Sequence, residues 1–183
     1  MALWGNTDAD EAKPKWLTAD QKENVYATDR GWVQLNGKGL EEVICAIGEL
    51  STSIAAADIN EVEFTTTSFS EAAGGNIDIT ITYNEQVTVD TSGGTPTITV
   101  TNSQAGGGTD ATFTASYQSG SSSNRLVFRA TYGAADGGVA EDDVLSIAAQ
   151  NIALNSGTIK DRGTTTNSLV AVPAGENTLT VAA

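Results

Sequence analysis

Four acidic residues, Asp136, Glu141, Asp142 and Asp143, fall within eight positions of a glycine-bearing stretch. Their carboxylate oxygens are hard ligands of the kind that hold calcium. The spacing is not that of an EF-hand, which needs glycine at the sixth loop position and glutamate at the twelfth; a solvated acidic loop is the other reading. Trp4, Trp16 and Trp32 lie within 29 residues of one another, and residues 1–24 offer few other apolar groups. Tryptophan is enriched where interfaces are anchored, so these rings either fill pockets on a neighbouring subunit or pack on one another and on the rest of the chain. The apolar residues Leu40, Val43, Ile44 and Ile47 extend the same candidate surface.

Other chemistries lack their parts. The chain has no histidine, which removes Ser-His-Asp and Cys-His catalysis and histidine metal sites. A single cysteine, Cys45, forms no intrachain disulfide and no thiolate zinc cluster. In the run Val-Ile-Cys-Ala-Ile it reads as a small buried apolar residue. Carboxylates are abundant, but no pair is set apart for the acid and base roles of glycoside hydrolysis. Gly106-Gly-Gly108 is not followed by the Lys-Ser/Thr of a phosphate loop. No catalytic residue and no cofactor is expected, and the chain is read as a non-enzyme.

The elements that must position these residues divide into two units. Residues 1–56 carry five basic and nine acidic side chains, and residues 57–183 carry four and fourteen. The net charge of −14 over 183 residues disfavours nucleic acid and anionic membrane surfaces. No apolar run reaches the roughly 18 residues of a membrane span, and the opening Met-Ala-Leu-Trp-Gly-Asn has neither the basic nor the apolar region of a signal peptide. In the first unit, Thr18 followed by Gln21 fits a capping box and one or two helical turns. The stretch from Val25 to Leu35 gives short apolar pieces broken at Gly31. Residues 40–50 suit either a helix or a buried strand. The segment therefore reads as short, mostly irregular and suited to anchoring.

The second unit alternates apolar and polar residues over 76–83, 95–101, 111–117 and 125–132, with shorter apolar pieces at 144–147, 152–154, 168–172 and 177–181. Period two marks half-buried antiparallel strands. Glycine- and serine-rich turns separate them. Seven or more short strands spaced about ten residues apart predict an all-β β-sandwich over residues 57–183.

Residues 77–89, 94–100, 119–128 and 145–161, above all Ile152-Ala-Leu-Asn-Ser-Gly-Thr-Ile-Lys-Asp161, resemble the immunoglobulin-like repeats of large bacterial surface adhesins. That resemblance covers about residues 57–170 and implies a spacer or adhesive sandwich. The opening Met1-Ala-Leu-Trp-Gly-Asn-Thr-Asp, Lys13-Pro-Lys15 and Gly31-Trp-Val33 are similar to the start of small virion proteins of tailed phages, marine and cyanobacterial myophages in particular. Together the two resemblances imply a structural protein of the virion surface. The expected role is a multi-copy or homo-oligomeric capsid decoration or accessory protein, held by residues 1–56 to the major capsid protein or to neck or tail subunits. The alternatives are a neck, tail or fibre component that touches a host surface glycan, and a bacterial adhesive module.

Overall fold

Thr, Val and Ile dominate the strand-forming runs, and β-branched side chains favour the pleated, half-buried surface of a sheet. The computed structural model describes residues 13–18, 21–22, 25–28, 30–36, 40–46, 56–105, 110–134 and 138–183. Fourteen strands form among them. Three lie in the first unit: β1 (Val25–Thr28), β2 (Gly31–Leu35) and β3 (Glu41–Ala46). They make a separate antiparallel sheet in the order β1-β2-β3. Gly31, with φ at +119°, opens β2 just past the β1–β2 turn, a backbone conformation that side-chain-bearing residues rarely take.

The segment that reads as mostly irregular thus contains a small sheet between residues 25 and 46. Of the two readings of residues 40–50, a strand forms over Glu41–Ala46, but not the buried one expected. Only Ile44 and Cys45 are half-buried, so Cys45 is not the enclosed residue its neighbours suggested, and residues 47–50 lie outside the described residues. The helical spacing of 40, 43, 44 and 47 is overridden by pairing to β2, with a bulge beside Trp32 and Val33. The Thr18 capping box is present: the Thr18 N–H donates to Gln21 Oε1 at 3.0 Å, and the Gln21 N–H donates to Thr18 Oγ1 at 3.3 Å.

The second unit supplies β4 (Ile59–Phe64), β5 (Phe69–Ser70), β6 (Gly75–Asp90), β7 (Thr97–Ser103), β8 (Ala111–Ser119) and β9 (Ser123–Tyr132). Then follow β10 (Val144–Ser146), β11 (Gln150–Asn151), β12 (Thr158–Asp161), β13 (Ala171–Val172) and β14 (Leu179–Ala182). Nine of these form one sheet in the order β12-β6-β9-β8-β7-β10-β14-β5, with β4 pairing β6 beside β12. Every pair is antiparallel except β14–β5. The sheet curls on itself. Tyr132 at the end of β9 meets the edges of both Phe69 of β5, at 6.1 Å, and Phe113 of β8, at 5.3 Å.

The alternation predicted from sequence places Ile77, Ile79, Ile81, Ile98, Val100, Ala115, Leu126, Phe128 and Leu145 inside one core. Each large aliphatic or aromatic side chain taken from water there contributes about 1.5–3 kcal/mol before conformational entropy is counted. The fold is all-β and sandwich-like. Two expected strands shrink: 168–172 is a strand only at Ala171–Val172, and 152–154 makes one bridge, Ala153 to Thr97. Side-chain amides finish what backbone pairing leaves open. Asn177 accepts from the Phe64 N–H at 2.8 Å and donates to the Phe64 carbonyl at 3.1 Å. Gln150 does the same for Thr99, at 2.8 and 2.7 Å. Both amides imitate a neighbouring strand, which blunts an edge that would otherwise recruit other chains.

Candidate partner-binding surface

In a β-strand, neighbouring side chains point to opposite faces, and β2 buries both of its central residues. Trp32 and Val33 are each fully buried, and Val25 lies with Trp32 in a small cluster against Leu17, Ile44 and Cys45. The expectation that Trp32 anchors a partner is therefore corrected: at 0% exposure its ring is the core of its own sheet. Three strands alone cannot bury two faces. Here Leu17 joins the Trp32 side, while β1 lies against β6 of the large sheet.

The other candidates separate cleanly. Trp16 is 68% exposed, Leu40 62% and Val43 39%. Ile44 is half-buried, packed with Trp32. Trp4 and Ile47 lie outside the described residues. Among those described, the one other exposed large apolar side chain is Leu169, at 46%. Three of four such groups thus stand on the first unit, although it supplies only a minority of the described residues. Each of the three would gain by being covered, as exposed apolar surface does.

The acidic loop resolves differently. Glu141 and Asp142 are exposed, Asp143 is buried, and Asp136 lies outside the described residues. Asp143 has both carboxylate oxygens engaged. Oδ1 accepts from the Ala105 N–H at 2.9 Å, and Oδ2 accepts from the Ala140 N–H at 2.9 Å and from Asn102 Nδ2 at 2.8 Å. Burial alone would raise the Asp143 pKa, but the three N–H donors together hold it below the ordinary carboxylate value. The Asp143 carboxylate ties loop to strand. No three His, Cys, Asp or Glu side chains converge into a metal-holding group among the described residues.

A polar junction that sequence reasoning missed joins the two units. Glu41 of β3 accepts from the Tyr26 hydroxyl at 3.0 Å and from Gln86 Nε2 of β6 at 3.3 Å, and it pairs with the Arg30 guanidinium. Burial, then the hydrogen bond and charge of Glu41, push the Tyr26 hydroxyl up to about 12. The available signal was the run Asn84-Glu85-Gln86, three polar residues in succession inside an otherwise alternating strand. Such a break in period marks a bulge.

The outer face of the large sheet carries hydroxyls in register. Thr97, Thr99 and Thr101 of β7 stand opposite Ser116, Thr114 and Thr112 of β8. Beyond them, Arg129 of β9 grips Asp78 of β6 through two bonds, at 2.6 and 2.7 Å. Among the described residues no helix is long and apolar enough to cross a membrane. Comparison with protein-family models, with curated proteins and with solved structures finds no match. The class is accordingly the one that the fold itself defines: an all-β, sandwich-like protein with a small N-terminal sheet bearing exposed apolar residues.

Proposed function

We propose that this chain is a non-enzymatic structural protein of a virion surface, a capsid decoration or accessory protein held by its N-terminal unit. The observation that carries this reading is the gathering of Trp16, Leu40 and Val43 on the first unit, each exposed on an otherwise acidic and hydroxyl-rich protein. Covering a tryptophan and two aliphatic side chains supplies attachment energy without any reaction. Many identical copies on a symmetric shell then add avidity to a modest single contact. The net charge of −14 keeps crowded copies soluble and apart. The resemblance of the opening residues to small tailed-phage virion proteins supports the same reading.

The test is particle incorporation of the full chain carrying Trp16→Ala, Leu40→Ser and Val43→Ser together. The expected outcome is a folded, soluble protein that no longer joins purified particles, while the parent appears as density on the head shell by cryo-electron microscopy. Equal incorporation of variant and parent overturns the proposal. A second reading rests on the hydroxyl rows of β7 and β8, a wet face suited to a host surface glycan. It is favoured if the density sits only at the neck or tail.

A further inference from the structure

The long strand β6 is interrupted where the two units meet. Its register to β9 runs regularly as far as Thr82 opposite Arg125, then resumes at Val87 opposite Ser123, so residues 83–86 face Asn124 alone. The extra residues are not idle. Tyr83 turns into the core and its hydroxyl donates to the Leu169 carbonyl at 3.1 Å. Asn84 exchanges bonds with Asp58: the Asn84 N–H donates to the Asp58 carbonyl, and the Asp58 N–H donates to Asn84 Oδ1, each at 2.9 Å. Gln86 is held from the sandwich side by Arg162, whose N–H donates to the Gln86 carbonyl at 2.9 Å and whose guanidinium donates to Gln86 Oε1. The free end of that amide, Nε2, reaches out to Glu41 on β3. Glu41 in turn gathers Tyr26 of β1 and Arg30 of the β1–β2 turn.

We propose that Glu41 and Gln86 form a latch that locks the N-terminal sheet onto the interrupted segment of β6, so that the two units move as one rigid body. A bulge that tightened the sheet locally would not need a side chain from a different sheet. Here the interruption aims one fixed amide at one carboxylate, and that carboxylate on β3 is also the acceptor for Tyr26 of β1 and Arg30 of the β1–β2 turn. The consequence is mechanical. Trp16, Leu40 and Val43 are presented at a fixed angle to the sandwich, whatever they attach to, instead of swinging on a tether. The inference stands apart from the virion reading, since it concerns only how this chain holds itself.

Spin labels test it in the full chain. With Cys45→Ser as background, nitroxides at Glu42→Cys on β3 and Thr114→Cys on β8, both exposed positions, report the distance between the units. The parent pair is expected to give one narrow distance distribution. Glu41→Lys removes the acceptor for Gln86 Nε2, puts an ammonium beside the Arg30 guanidinium and should broaden that distribution to longer distances. Adding Gln86→Glu restores opposite charge across the same contact and should narrow it again. A broad distribution in the parent overturns the latch, as does a narrow one in Glu41→Lys or a failure of the double variant to recover. If Glu41→Lys lowers the melting of the sandwich itself, Glu41→Ala is measured in its place, and an unchanged narrow distribution there equally overturns it.

Discussion

Replacing Asp143 by alanine removes the acceptor for three N–H donors at once. The Ala105 and Ala140 N–H groups lose their partner, at 2.9 Å each, and Asn102 Nδ2 keeps only the longer bond to the Gly138 carbonyl at 3.3 Å. A hydrogen bond to a charged group contributes about 1.5–3 kcal/mol, and a buried donor left unpaired costs about 1–3 kcal/mol. The two backbone donors are only partly buried, so water recovers some of the loss and a total of about 3 kcal/mol is expected. For a chain of this length, that lowers the melting temperature by about 6–12 °C. Asp143→Asn retains one acceptor oxygen and should fall between parent and alanine. Thermal melts followed by circular dichroism, with urea melts alongside, read the difference. The pH dependence fixes the cause. A carboxylate whose folded pKa is lowered stabilises the fold above its unfolded pKa, near 3.9, and that stabilisation is lost as the pH falls through the lower folded value. The gap between parent and variant should therefore hold steady from about pH 5 to pH 8 and close only below about pH 4. A melting drop under about 2 °C, or a gap that widens on acidification, refutes the account of Asp143 as a stabilising knot. Chelator should leave the parent's melting temperature unchanged, because both Asp143 oxygens already hold N–H donors.

Other perturbations probe separate parts of the molecule. Trp32→Ala should cost the small sheet about 3–5 kcal/mol, seen as rapid hydrogen exchange in β1–β3 with sandwich melting little changed; Trp16→Ala should move stability by less than about 0.5 kcal/mol. Equal effects of the two would contradict the burial assigned to them. Gly94→Ala would drive a methyl group into the backbone carbonyl of Asn155, where the 93–94 turn presses on residues 155–157; a loss of about 1–3 kcal/mol or more in urea unfolding is expected, and none would mean the turns are not in contact. Tyrosinate absorbance should rise late. Burial raises Tyr26 to about 12, raises Tyr83 further with help from Asp58 and Asp161, and raises Tyr117. A raised folded pKa contributes stability that is complete below the unfolded value near 10 and lost as the pH climbs towards the folded value. Native protein at about pH 11 should thus show well under the full signal of its four tyrosines, which urea restores; full ionisation without urea would contradict their burial.

Much of the sandwich-like unit is legible without coordinates, because a half-buried strand writes its two faces into the chain with period two. Ile77, Ile79 and Ile81, or Leu126 and Phe128, could face only one way once that period was read, and the core contains them. The glycine- and serine-rich turn at 119–122 likewise announced the β8–β9 hairpin. Strand β4 went unread because its apolar residues, Ile59, Val62 and Phe64, lose their alternation at a bulge beside Ile59 and Glu61. The candidate surface was half legible. Residue type nominated Trp16, Leu40 and Val43, which the fold leaves exposed, together with Trp32, which has the same chemistry and lies buried.

Composition and periodicity therefore determined the all-β class, most of the core, and the absence from this chain of histidine- and thiolate-cluster chemistry. Tertiary structure alone decided which tryptophan is interior, that Asp143 answers Ala105 and Asn102 from across the fold, and that Gln86 meets Glu41. The physical reason is range. Alternation and turns are set by neighbours along the chain, whereas burial and hydrogen-bond partnership depend on residues 38, 41 and 45 positions away, whose approach no local pattern records.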